Sequence, residues 1–150
     1  MRGYTTVISL LLFGTAAFAQ PPTYNETAAK DRCEKNWGTD FTMVEFCLNE
    51  DKSAFFQFAA RGEDLTDRSR LFYEPFNFCR REWGLDWSMV EFCAGEQVAA
   101  WDALQITIQS IPEDIGRSIQ FRCAADWDPN ITMIDFCAEE QAKSWRALND

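Results

Sequence analysis

The sequence predicts an all-α fold: three tandem disulfide-stapled αα-hairpins, six helices in all, following an N-terminal signal peptide. Three observations carry that expectation. The six cysteines fall as Cys33 and Cys47, Cys79 and Cys93, Cys123 and Cys137, with thirteen residues inside every pair and starting points 46 and 44 residues apart. Around them CEKNWGTDFTMVEFC, CRREWGLDWSMVEFC and CAADWDPNITMIDFC agree at the cysteines, at a Trp four residues after the first, and at Met-Val/Ile-Glu/Asp-Phe before the second. The agreement continues through Glu50, Glu96 and Glu140, then Phe55, Trp101 and Trp145, then Phe58, Leu104 and Leu148. A recurring unit of this length is the signature of a repeat array.

The elements follow in chain order. Residues 1–19 combine Arg2, an apolar stretch from Val7 to Phe13 and the small-residue ending Ala17-Phe18-Ala19, the layout of a secretory signal cut before Gln20. Residues 20–60 form the first hairpin, residues 61–70 a polar linker, residues 71–110 the second hairpin and residues 111–150 the third. The first helices of the hairpins start near Glu26, Pro75 and Pro112, because Pro suits the first helical position. They end near Trp37, Trp83 and Trp127, where Gly38, Gly84 or Asp128-Pro129 stops the helix.

The second helices start at 42, 88 and 132. There Thr42, Ser88 and Thr132 are each followed three residues later by Glu45, Glu91 and Asp135, the pattern of a capping box. Phe41, Trp87 and Ile131 precede those caps and pair with Phe46, Phe92 and Phe136 as hydrophobic staples. Beyond each second cysteine, apolar residues eight and eleven positions later continue a buried stripe.

In the first unit the turn centres near Asp40, with Cys33 and Cys47 seven residues to either side. Equal distances from an antiparallel turn favour pairing within a unit over the other fourteen ways of joining six cysteines. Each bond then closes a loop of about fifteen residues, worth roughly 3 kcal/mol in the chain-entropy picture.

Composition narrows function by exclusion. The formal net charge is −10, which disfavours nucleic acid and anionic membranes as partners, since both need a cationic face. There is no histidine, so Ser-His and Cys-His catalytic arrangements are impossible. The cysteine spacing is unlike that of zinc knuckles or Cys-x-x-Cys redox sites, and neither a metal nor another cofactor is expected. No segment is long and apolar enough to leave a membrane span in the mature chain.

The candidate binding residues are few. Glu50, Glu96 and Glu140 recur one turn after the second cysteine and mark either a structural hydrogen bond or a cation-binding ring, with the structural role favoured. Trp37, Trp83 and Trp127 are expected to pack in the core over the disulfides. Phe72, Tyr73 and Phe76 sit at no repeated position and are candidates for an exposed apolar patch. Asn25-Glu26-Thr27 and Asn130-Ile131-Thr132 match the glycosylation acceptor pattern.

The run Cys-x3-Trp-x9-Cys with Met-x2-Phe-Cys at its end resembles a repeated motif of short exported bacterial proteins without an assigned activity. The resemblance covers about 120 residues and implies export and a helical hairpin. The architecture also resembles the disulfide-clasped helical hairpins of mitochondrial intermembrane-space proteins, which use two bonds per hairpin at shorter spacing.

The functional expectation is a secreted or periplasmic, non-catalytic binding module with a protein or peptide partner, because stacked hairpins present extended surfaces. The alternatives are a carboxylate-dependent hydrolase of envelope or extracellular polysaccharide, which needs only two suitably spaced acids, and a structural envelope protein.

Overall fold

The computed structural model describes residues 23–64 and 69–149; the expected signal segment 1–19 lies outside them. Six helices run in order: α1 (Glu26–Trp37), α2 (Phe41–Asp64), α3 (Ser69–Trp83), α4 (Trp87–Gln109), α5 (Glu113–Trp127) and α6 (Ile131–Asn149). The described residues contain no strand, and none of their helices is long and apolar enough to cross a membrane.

Each hairpin carries its own disulfide, Cys33–Cys47, Cys79–Cys93 and Cys123–Cys137, with Cα–Cα separations of 5.8, 5.7 and 5.7 Å. The first cysteine of every pair is fully buried. Three such bonds fit an oxidising compartment.

The first two turns repeat one solution, and the third keeps its helix-ending hydrogen bond on a different backbone. Gly38 and Gly84 adopt positive φ values of 57° and 60°, a conformation that costs glycine little. Their N–H groups donate back to the carbonyls of Glu34 and Arg80, and Asp128 N–H does the same to Ala124. The first helices accordingly end at Trp37, Trp83 and Trp127.

The start of each second helix differs from the sequence expectation. The N-caps are Asp40, Asp86 and Asn130, whose Oδ1 atoms accept from the N–H of Met43, Met89 and Met133 at 3.1, 3.2 and 3.3 Å. Thr42, Ser88 and Thr132 therefore lie inside the first turn, and Glu45, Glu91 and Asp135 are too far along to close a capping box. Asp and Asn cap as well as Ser and Thr, and here they follow directly on the turn. The staples are absent too: Phe46, Phe92 and Phe136 are exposed, whereas Trp87 and Ile131 are buried between hairpins.

Two further boundaries move. Helix α3 begins at Ser69 and carries Pro75 in its interior. Helix α2 continues through Asp64 into the expected linker, and Arg61 at its end is paired to Glu91 of α4.

The hairpins stack through their second helices. Helix α4 packs against α2 on one side and α6 on the other, with α3 and α5 alongside. Close approach of α5 to α4 depends on Gly116, because a Cβ there would stand 2.5 Å from the backbone oxygen of Ile108.

Candidate functional site

The joints between hairpins are built around one buried polar residue each. Asp51 and Gln97 occupy the same position, four residues after the second cysteine, and both are buried within an otherwise apolar stripe. The first N–H groups of a helix have no partner within it. At the first joint, Trp87 N–H donates to Asp51 Oδ1 at 2.8 Å; at the second, Ile131 N–H donates to Gln97 Oε1 at 2.7 Å. The first and second hairpins thus each supply the acceptor for the opening residue of the next hairpin's second helix.

The side chains of those opening residues fill the joints. Trp87 is 3 % exposed and meets Phe55 edge-on at a ring-centroid distance of 4.8 Å and Phe58 at 5.6 Å. Ile131 is 4 % exposed and packs with Phe72 and Ala100.

Charge separates the two joints. Asp51 Oδ1 also accepts from Arg32 at 2.5 Å, and Arg32 reaches on to the Leu85 carbonyl and lies 3.9 Å from Asp86. Asp51 Oδ2 has no partner at bonding geometry among the described residues. Burial, and then the Asp51 carboxylate, raises the nearby Tyr24 hydroxyl above its ordinary pKa. Arg61 adds a bidentate pair to Glu91 across the same joint. At the second joint Gln97 instead donates from Nε2 to Thr132 Oγ1 at 3.2 Å and to Asn130 Oδ1 at 3.4 Å. Asp135, the counterpart of Glu91, meets no arginine among the described residues; burial first and Glu139 second raise its pKa.

Above each joint lies an open groove. The first, of about 350 Å³, is walled by Trp37, Phe46 and Cys47, with Glu50 on one side and Asp86, Ser88 and Met89 of the next hairpin on the other. The second, of about 300 Å³, repeats it with Trp83, Phe92, Cys93 and Glu96 facing Asn130 and Thr132, and Glu82 adds a second carboxylate. Among the described residues, Arg32 is the basic residue lining the first groove and is engaged with Asp51, and none lines the second.

These grooves correct several expectations. Trp37, Trp83 and Trp127 are 45, 44 and 44 % exposed rather than core, and the first two wall the grooves. Phe46, Phe92 and Phe136 are 58, 63 and 60 % exposed beside them. Glu50, Glu96 and Glu140 are exposed rather than inward-facing, and Glu140 reaches Lys143 at 4.0 Å. Phe72 is buried and Phe76 is packed against Phe58 and Phe72, so of the three patch candidates only Tyr73 is an exposed side chain. Asn25 and Asn130, the two glycosylation candidates, each spend their side chain on a helix cap.

Sequence reasoning missed Asp51, Gln97 and Arg32. The available signal was a polar residue recurring at the same place in a stripe that is otherwise apolar. Compared with protein-family models, curated proteins and solved structures, the chain matches none.

Proposed function

We propose that the chain is an exported, non-catalytic binding module for extended, basic polypeptide segments. The observation that carries this reading is the repetition of one open groove at both joints, with a half-exposed Trp, an exposed Phe and a carboxylate in the same order. Exposed aromatic walls are costly to leave in water at repeated positions, and large exposed apolar features mark interaction sites. An aromatic face beside a carboxylate suits a lysine or arginine side chain, which gains a cation–π contact and an ion pair together. The net charge of −10 draws a cationic segment toward the surface. Grooves recurring along a stack of hairpins suit a ligand that is itself extended.

The test is titration of unstructured peptides bearing spaced Lys or Arg and apolar residues into the oxidised protein, followed by calorimetry. Binding is expected to weaken with added salt. Replacing Trp83 with Ala should weaken it roughly 2- to 30-fold, the range of one cation–π contact, and Glu96→Gln should reduce the salt dependence. Peptides that bind Trp83→Ala and the parent chain equally would remove the grooves from the reading.

A further inference from the structure

The two internal joints use matching halves, and one of each half is left over at the ends of the stack. The donating half is the opening residue of a second helix, buried as Trp87 and Ile131 but 75 % exposed as Phe41. The accepting half is the face carrying Asp51, Ala54 and Phe58 on α2, and Gln97, Ala100 and Leu104 on α4, all buried. On α6 the same positions are Gln141, Ser144 and Leu148; all three are exposed, Leu148 at 85 %. Stacked-repeat proteins commonly end in polar caps, yet both ends here keep a large apolar residue at the joint position.

Charge matches as well. At the first internal joint Arg32, one residue before its cysteine, faces Asp86, the cap of the next hairpin's second helix. Arg122 holds the Arg32 position in the third hairpin and is exposed; Asp40 holds the Asp86 position in the first and is also exposed. The last hairpin therefore carries the arginine, and the first hairpin the aspartate, of a joint that the chain already makes once within itself.

We propose that the chain associates head to tail with a second copy of itself, Phe41 of one copy entering the Gln141–Leu148 face of the other. On association the Phe41 N–H, which donates to the Thr39 carbonyl at 3.1 Å within its own copy, exchanges that acceptor for Gln141, as Ile131 N–H uses Gln97, and Arg122 pairs with Asp40. Such a contact is heterologous, so it grows into rings or open chains rather than closing as a two-fold dimer. It also completes a third groove. Trp127, Phe136 and Glu140 are exposed as Trp83, Phe92 and Glu96 are, and none of the described residues supplies the opposite wall; Asp40, Thr42 and Met43 of the second copy supply it.

Sedimentation of the oxidised full chain over a concentration series tests this with no peptide present, so its outcome is separate from that of groove binding. The parent chain should gain mass with concentration. Phe41→Asp and Leu148→Glu both alter exposed side chains, and circular dichroism checks that each variant is folded. Each alone should remain monomeric, and an equimolar mixture should form a one-to-one dimer and nothing larger, because each variant retains the end that the other lacks. A parent chain that stays monomeric throughout, a folded single variant that assembles as the parent does, or a mixture that stays monomeric would each overturn the proposal.

Discussion

The first joint between hairpins is ionic and the second is neutral, although both make the same backbone bond. Asp51 can receive Trp87 N–H only with a cation beside it, because a lone buried carboxylate is strongly disfavoured, and Arg32 is that cation. Gln97 occupies the identical position as an amide, so it needs no counter-charge, and its spare N–H group finds Thr132 and Asn130. A few residues away the contrast recurs: Glu91 has Arg61, while Asp135 meets no arginine among the described residues. One geometry thus admits two chemistries, provided that every group around it changes together.

The comparison breaks most sharply at the buried polar residue. Asp51→Ala takes the buried acceptor from the Arg32 guanidinium and the Trp87 N–H at once, leaving Arg32 only the Leu85 carbonyl and Asp86, and should cost about 3 kcal/mol. Gln97→Ala strands neutral partners and should cost about 1 to 3 kcal/mol. Denaturant unfolding of the oxidised chain measures both, and equal losses would mean that charge does not separate the joints.

Gly116→Ala comes next and probes the second joint alone. Its new methyl collides with a backbone oxygen rather than a side chain that could swing away. A loss of roughly 1 to 3 kcal/mol is expected, as for other overpacked sites, and an unchanged midpoint would show that α5 can move off α4.

The smallest effects should differ in sign. Glu91→Gln loses its arginine and lowers stability at neutral pH. Asp135 has a raised pKa in the folded state, so folding favours its protonated form. Its favourable contribution is complete below the ordinary aspartate range and is lost as pH rises through the raised value. Asp135→Asn should therefore raise the melting temperature at neutral pH, with the gain shrinking on acidification. Thermal melts at several pH values check this; a loss at neutral pH would place an unseen partner beside Asp135.

The hairpins were legible because everything that makes them is local. Cysteine spacing, the turn glycines and the closing Trp all act within about fifteen residues. The helix starts were misread because Thr42, Ser88 and Thr132 fit a cap pattern as well as Asp40, Asp86 and Asn130 do, and only the turn geometry decides between them. The joints were illegible for a different reason: Trp87 and Ile131 meet acceptors 36 and 34 residues upstream, a separation that no local pattern encodes. The recurring Trp misleads because its place one turn after the first cysteine suits a ring covering the disulfide, yet a half-exposed ring meets that spacing equally well. In a stack, a surface feature recurs as faithfully as a core one.

The direction of those long-range bonds bears on how the chain is made. A polypeptide leaves the ribosome or a translocation pore amino end first, and its units fold in that order. Asp51 emerges before Trp87 and Gln97 before Ile131, so each docking position exists before the helix that requires it appears. Assembly can then advance as a ratchet from the first hairpin to the third, each newly arrived segment closing onto a finished surface instead of waiting for one still to come.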